Sequence, residues 1–540
     1  MRSGAKVAIV GGVFSVVASG VLYGGYTLVS ADDSAGPGTT KAAQVRTGPP
    51  RAEEISRTAE GFLEAWAKGD ATAAATLTNN RADAEAALTG FHDQAHIDKI
   101  QVTAGTPHGT VVPYSVTAEV SYEGKAARLS YASQLTVVRG LTTGKPLVDW
   151  QPSVLHPDLK KGERLVTGGA KNPEIQAVDY RDRPLTREQY PSLRGILDAL
   201  REKYGSRAGG TAGIELQIQG AQGTLARTLL TLQKGSPGKL KTTLDADVQA
   251  AAEKAVKQYS QSSVVAIQPS TGEIKAVADN RADGFPASLQ GRRAPGSTMK
   301  IVTATLLLEK GLANADKPAE CPPTAMYYGR TFTNLKGFSL PDGSTFAQSF
   351  AKSCNTAFIK LIDDTKDDAA LADEAKDVFG IGLNWNVGVQ AFDGSVPAVT
   401  QGEAAAEYIG QGQVQMSPLN MASVAATAKS GTFRQPVIVP KGLDDRELAT
   451  AQRGIPTSVH QQLKSMMRLT ATSGTAAEAM ATVSGDKGGK TGSAERDGQG
   501  TSDSWFTGYA DDLAAAALVQ SGGHGGDAAG PIVAQVLRAG

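Results

Sequence analysis

A proline–glycine break, Pro295-Gly296, runs through Ser297-Thr298-Met299-Lys300 into an apolar segment, Ile301 to Leu308. A break followed by such a run predicts a helix that starts near Ser297. On that helix Ser297 and Lys300 stand three apart and so share a face. A serine at a helix N-terminus meets the positive end of the helix dipole, which favours a developing alkoxide. A lysine beside it can take the proton if burial or a second cation lowers its pKa. Taken alone, Ser-x-x-Lys is more commonly an ordinary N-cap with a solvated lysine. The rest of the chain has to supply partners.

The 540 residues are too many for one core and predict three or four units. Lys+Arg and Asp+Glu are equal at 54 each, so the charge balance points neither to nucleic acid nor to a funnel for acidic substrates. Val7 to Val29 is an uncharged run of 23 residues, long enough to span a bilayer. Arg2 and Lys6 precede it and Asp32 and Asp33 follow, which keeps the N-terminus in the cytoplasm and the bulk of the chain outside. A cleaved signal peptide is the rival, with small residues at Val29-Ser30-Ala31. The run exceeds the usual core of about 7 to 15 residues, which favours a retained anchor. Export permits a disulfide between the two cysteines, Cys321 and Cys354, but a spacing of 33 shows no geometry, so pairing stays open.

Residues 1–30 therefore read as a cytoplasmic tip and signal-anchor, and 31–50, rich in Gly, Pro, Ser and Thr, as a flexible linker. From Arg51, Ile55, Ala59, Phe62, Leu63 and Trp66 mark one helical face. A short helix follows over Ala71–Leu77, then strand-like stretches at Ile100–Val102, Val111–Val112, Ser115–Tyr122, Leu129–Val138 and Leu147–Trp150. This predicts a small α+β domain over 51–159. His92 and His96 have helical metal-ligand spacing, but Asp93 stands where a zincin has Glu and no third ligand is evident, so they read as surface residues. Residues 160–238, Gly-rich around a helix at Leu193–Tyr204, read as an irregular connector of dimerisation-region type, without a core of its own. The last domain, 239–540, opens with a helix capped by Asp245. A hairpin follows over Ser263–Ile267 and Glu273–Val277. Then comes a mostly helical stretch to about residue 475, and three strands (Lys490–Ala494, Ser504–Tyr509, Ala514–Gln520) before a last helix. Strands at both ends imply one sheet assembled from distant segments.

Two more stretches supply the partners. Ser353-Cys354-Asn355 opens a helical run, and Lys490-Thr491-Gly492-Ser493 lies on an expected strand. Ser-x-x-Lys, Ser-x-Asn and Lys-Thr-Gly in that order, at intervals of 56 and 137 residues, resemble the penicillin-binding proteins and serine β-lactamases. Leu244-Asp245, Gly410-Gln411-Gly412, Ser417-Pro418-Leu419 and Trp505-Phe506-Thr507-Gly508 extend the resemblance. Trp66-Ala67-Lys68-Gly69-Asp70 and the Trp150…His156-Pro157 exit are similar to the NTF2-like domain of MecA-type class B penicillin-binding proteins.

The resemblance implies an α+β multidomain protein whose transpeptidase domain has a central antiparallel sheet flanked by helices. It implies a D,D-transpeptidase that cross-links stem peptides ending in D-Ala-D-Ala and is acylated by β-lactams. Ser297 would be the nucleophile and Lys300 its base. Ser353 would relay a proton to the leaving amine, and Asn355 would position Lys300 and the substrate amide. Lys490, helped by Thr491, would bind the terminal carboxylate. Gly492 would let the strand approach the substrate closely. The backbone N–H groups of Ser297 and Ser493 would form the oxyanion hole. Neither cofactor nor metal is implied. A separate glycan polymerase and other wall-synthesis proteins would be partners, with the catalytic domain outside a cell membrane spanned once.

The competing readings are weaker. A phosphate loop at Gly485–Thr491 has three residues where Walker A needs four. A Ser-His-Asp hydrolase lacks Gly-x-Ser-x-Gly, and His460 and His524 stand in no motif. Lys487 competes with Lys490 but lacks Thr-Gly after it. A class A β-lactamase would place Glu-x-x-Leu-Asn between the second and third motifs, and none is present. A D,D-carboxypeptidase shares every motif. A non-catalytic β-lactam sensor or scaffold is the alternative of another kind, against which the intact motifs argue.

Overall fold

The computed structural model describes residues 46–220, 223–362, 367–495 and 500–540. The run Val7–Val29 and nearly all of the linker lie outside the described residues. Among those described, no helix is long and apolar enough to cross a membrane.

The N-terminal unit packs α1 (Ala52–Ala67), α2 (Ala71–Thr76) and α3 (Arg81–Asp93) on a four-stranded antiparallel sheet. Its strands are β1 (Ile97–Ala104), β2 (Val111–Tyr122), β3 (Lys125–Arg139) and β4 (Pro146–Val148), in that order. The apolar face of α1 is buried as its periodicity requires, and Trp66 meets Phe91 and Tyr114 edge-on. Each such side chain contributes roughly 1.5 to 3 kcal/mol. The two strand stretches expected either side of Pro113 are one strand. The Pro113 carbonyl accepts from Gly105 N (2.7 Å) just past the last paired residues of β1, Ala104 and Tyr114, so the N–H that proline lacks is not needed by the ladder. Helix α3 ends at Asp93 and His96 lies beyond it with φ 51°, so His92 and His96 share no helical face. His92 instead faces Asp93 (3.1 Å) and Asp98 (2.9 Å).

The connector is more regular than its glycines suggest. It contains β5 (Arg164–Gly169), β6 (Gln176–Val178), α4 (Arg194–Tyr204), β7 (Ile214–Gln219), β8 (Leu225–Gln233) and β9 (Lys239–Lys241). Strands β5, β7 and β8 form an antiparallel sheet that adds Leu165, Leu216 and Ile218 to the N-terminal core. Ala177 of β6 and Leu197, Leu200 and Tyr204 of α4 join the core of the second half. Its glycines mark chain crossings: a Cβ on Gly238 would fall onto the Gly209 carbonyl.

The second half begins with α5 (Ala246–Val256), whose first turn is capped by Asp245 accepting from Asp247 N (2.9 Å). Arg183 of the connector bonds Asp179, Asp245 and Asp247 together, fixing the connector to that cap. After β10 (Ser262–Ile267) and β11 (Ile274–Asn280) come α6 (Ala287–Gln290) and α7 (Lys300–Glu309). A hairpin, β12 (Thr324–Tyr327) with β13 (Arg330–Thr333), interrupts the stretch expected to be helical. Then follow α8 (Phe346–Ala351), α9 (Asn355–Ile362), α10 (Ala370–Asp377), α11 (Gln401–Tyr408), α12 (Pro418–Ser430), α13 (Thr457–Ser473) and α14 (Ala477–Met480). The chain closes with β14 (Lys487–Ala494), β15 (Asp503–Ala510), β16 (Leu513–Val519) and α15 (Ala529–Leu537).

One five-stranded antiparallel sheet, in the order β11-β10-β16-β15-β14, unites the two ends of this half. Side chains alternate across it. Val264, Ala266, Ala515 and Ala517 face α5 and α15, while Val265, Ile267, Ala516 and Leu518 face the core that holds α7 and α12. Strand β14 lies at the edge, and its free side is where the site is built.

Candidate active site

Ser297 sits in a 3₁₀ turn, Gly296–Met299, that feeds directly into α7. Every residue of α7 from Lys300 to Leu308 is buried, so the helix is enclosed and the Lys300 side chain lies out of contact with solvent. Its Nζ lies 3.1 Å from Ser297 Oγ, 2.8 Å from the Ser353 carbonyl and 2.6 Å from Asn355 Oδ1. Burial above all, and then the charge of Lys490, push the Lys300 pKa well below the ordinary lysine value. Lys490 is also fully buried, and burial brings its pKa down to about 7. Its Nζ donates to Ser353 Oγ (2.9 Å) and to the Thr491 carbonyl (3.0 Å).

Ser297, Lys300, Ser353, Asn355 and Lys490 thus form one connected polar chain. Ser353 does not cap the helix that follows it. With φ 60° it stands in the left-handed region, its carbonyl turned to Lys300 and its hydroxyl to Lys490. The cap of α9 comes from Asn334, in a loop 21 residues earlier. Its Oδ1 accepts from Asn355 N (2.7 Å) and Thr356 N (3.1 Å), while its Nδ2 donates to the Pro322 and Phe338 carbonyls (both 2.8 Å). Asn334 is buried and belongs to no motif, so nothing in the local sequence announces it. Cys321 and Cys354 form a disulfide, which ties the segment before β12, whose Pro322 carbonyl Asn334 also holds, to the middle residue of Ser353-Cys354-Asn355.

The strand side is set by close backbone approach. A Cβ on Gly296, whose φ is 54°, would fall 2.5 Å from the Ser493 carbonyl oxygen and 3.2 Å from Ser493 N, so the Ser493 backbone faces the nucleophile turn. A Cβ on Gly492 would fall 2.7 Å from the Pro295 carbonyl and 3.0 Å from Thr298 N. The missing side chain of Gly492 therefore accommodates the serine turn, a closer neighbour than the substrate expected there. Behind the turn, Gly296 N donates to the Gly410 carbonyl (2.9 Å). Thr491 Oγ1 pairs with Thr475 Oγ1 (2.6 Å), a partner with no motif of its own. Lys487 is occupied elsewhere, donating to the Met480 and Val483 carbonyls at the end of α14.

Two parts of the chain match known families. The family described as penicillin binding protein transpeptidase domain matches residues 262–538. The chain belongs to that family. The NTF2-like N-terminal transpeptidase domain matches residues 54–163. The peptidoglycan D,D-transpeptidase PbpA of Mycolicibacterium smegmatis is 30% identical over 362 residues, covering 56% of this chain and 73% of PbpA. Among solved structures, a peptidoglycan synthase complex that coordinates polymerisation and crosslinking contains a chain with a TM-score of 0.54 at 20% identity, covering 70% of this chain and 92% of that one. The D,D-transpeptidase domain of a peptidoglycan glycosyltransferase from Eggerthella lenta gives 0.51 at 19% identity, covering 68% and 98%. At such identities the structural likeness establishes the fold alone.

Proposed function

We propose that this penicillin-binding protein is a peptidoglycan D,D-transpeptidase that works through an acyl-enzyme on Ser297 and is acylated there by β-lactams. The observation that carries the reading is the environment of Lys300. A neutral amine has two N–H donors and one lone pair, and the Ser353 carbonyl and Asn355 Oδ1 take the two donors. The lone pair is left for the Ser297 hydroxyl, and burial favours that neutral form.

In this scheme Ser297 Oγ attacks the penultimate D-Ala carbonyl and its proton passes to Lys300. The oxyanion is received by the N–H groups of Ser297 and Ser493. One such donor is worth about 3 kcal/mol of transition-state stabilisation. The terminal D-Ala carboxylate approaches Lys490 and the Thr491 hydroxyl, and a neighbouring anion favours the protonated form of Lys490. The proton taken up by Lys300 is delivered to the departing D-Ala nitrogen by way of Ser353 Oγ as the C–N bond breaks, which leaves Lys300 neutral again. An acceptor amine from a second stem peptide then attacks the ester carbonyl, its proton passes to neutral Lys300, and Lys300 returns it to Ser297 Oγ as the ester C–O bond breaks. The run Val7–Val29 would tether this chemistry to the outer side of a cell membrane, beside a separate glycan polymerase and other wall-synthesis proteins.

Labelling with a fluorescent penicillin tests the assignment: the wild type acquires a covalent label and Ser297→Ala does not. Label on the mutant, or none on the wild type, would sink the serine acyl-enzyme. The lifetime of the adduct separates the hydrolytic alternative, since a β-lactamase would shed the label within seconds.

A further inference from the structure

The nucleophile turn rests on a second turn, Gly410-Gln411-Gly412-Gln413, which carries none of the groups assigned to the chemistry. Gly296 N, one residue before Ser297, donates to the Gly410 carbonyl (2.9 Å), and Arg293 and Met416 exchange backbone bonds in both directions (3.0 and 2.8 Å). Gly410 has φ 77°, and a Cβ there would fall 1.9 Å from the Gly296 carbonyl oxygen, so the two turns meet backbone to backbone. Glu407, in the last turn of α11, holds this seat at both ends. Its carbonyl accepts from Gly410 N (2.8 Å), and its carboxyl accepts from the Gln413 backbone N–H. Gly412 lies over its stem, where a Cβ would fall 3.3 Å from Glu407 Cγ.

Glu407 is only 2% exposed, forms no ion pair among the described residues, and its Oε1 has no hydrogen-bond partner there. The charged groups of the surrounding elements are committed elsewhere. Glu403, one turn earlier, pairs with Arg330 of β13 (3.1 Å), and Asp368 accepts from Gln401 N at the helix start (2.7 Å). Of the elements packed on α11, β12 has no charged residue and α9 has Lys360, which pairs with Glu320. Helix α7, joined to α11 by Thr303 Oγ1 donating to the Tyr408 carbonyl (2.9 Å), brings Lys300, turned to Ser353 and Asn355, and Glu309, paired with Arg453. A buried carboxyl without a cation is tolerable as a neutral acid and costly as an anion. Burial raises its pKa from 4.5 to about 8, helped by Glu403 and opposed by the Gln413 hydrogen bond. Below that pH the turn closes around a neutral acid. Above it water has to reach the anion, and the bonds that must open are those of the Gly410–Gln413 turn. We infer that Glu407 is a positioning residue for acylation, a buried neutral acid that seats the Gly410 turn and through it holds Ser297 against Lys300. The role rests on the proposed function, which supplies the reaction. A misplacement of reacting groups by about 1 Å can cost about 10²-fold in rate.

Single-turnover acylation of the full-length protein in detergent by fluorescent penicillin, followed over concentration and pH, tests this. Glu407→Leu removes the acceptor for Gln413 N–H. It should lower the first-order acylation rate by about ten- to hundredfold, while half-saturation stays within about twofold because Lys490 and Thr491 are untouched. Glu407→Gln keeps an acceptor and should restore most of the rate near about pH 6. Its rate relative to the wild type should then climb about tenfold by about pH 9, because only the wild type becomes an anion. The Lys490 limb is common to both proteins and cancels in that ratio. Rate constants are read on the fraction that labels, so a lower folded yield does not disturb them, and if the leucine variant does not fold the glutamine ratio decides alone. A ratio that stays flat with pH, or a leucine variant that acylates at the wild-type rate, would overturn the positioning role and leave the acyl-enzyme reading intact. A wild type that penicillin never labels would remove both.

Discussion

At the scale of single residues the proposed chemistry turns on Lys300, whose pKa is pushed below the ordinary lysine value by burial first and by the charge of Lys490 second. The sign of the pH dependence follows. Acylation by penicillin should rise with pH as Lys300 loses its proton and becomes able to accept that of Ser297. It should fall again as Lys490, near 7 in the free enzyme, loses the charge that receives the carboxylate. The two lysines titrate as a coupled pair, so a bell-shaped profile reports both together. A rate that only climbs with pH would show that the Lys490 charge is not used. Lys300→Ala should slow acylation by about 10²- to 10⁴-fold, the usual contribution of a general base, as read by penicillin labelling of the folded fraction. The motif positions themselves were legible in the sequence, since each is a few residues long and carries its own local setting. The partners of Lys490 were not, because Ser353 lies 137 residues away in the chain.

Among the elements, α9 and the loop that caps it govern how Ser353 and Asn355 are presented. Asn334→Ala leaves two buried N–H groups and two carbonyls without this partner, at roughly 1 to 3 kcal/mol for each buried group left unsatisfied. The expected result is a lower melting temperature together with slower penicillin acylation. Asn334→Asp keeps the acceptor for α9 and should recover part of the rate, which a purely structural role would not require. The Cys321–Cys354 disulfide ties the segment before the β12–β13 hairpin to the same helix start. Removing it through Cys321→Ala with Cys354→Ala should cost about 3 to 4 kcal/mol by the loop-closure argument for a 33-residue separation, read by chemical unfolding. Unchanged stability would mean that these segments are held to α9 mainly by Asn334. Helix periodicity and the α5 cap could be read in advance. The β12–β13 hairpin could not, because its short strands carry no sustained alternation.

For the whole molecule, the five-stranded sheet joins residues 262–280 to residues 487–519, with nine α-helices and a hairpin between them among the described residues. Its buried carboxyls make stability depend on pH. Burial, with Glu403 nearby, raises the Glu407 pKa from 4.5 to about 8, so the folded state keeps a proton that the unfolded chain releases. That contribution is complete below 4.5 and is lost as pH rises towards about 8. Relative to the wild type, Glu407→Gln should therefore gain stability across this window and level off above it, as measured by melting temperature against pH. A difference that stays flat would show that Glu407 ionises normally.

The sequence by itself determined the motif residues to which the chemistry is assigned in the proposal, their order, the elements that carry them and the α+β character of both halves. Those properties are local, written in motifs a few residues long and in the periods of helix and strand. Only the tertiary structure decided what each group touches. It turned Ser353 towards Lys490, assigned the cap of α9 to Asn334, set Gly492 against the serine turn and joined Cys321 to Cys354. These are contacts between distant segments, fixed by how the helices and the edge of one sheet pack, and no local pattern in the chain encodes them.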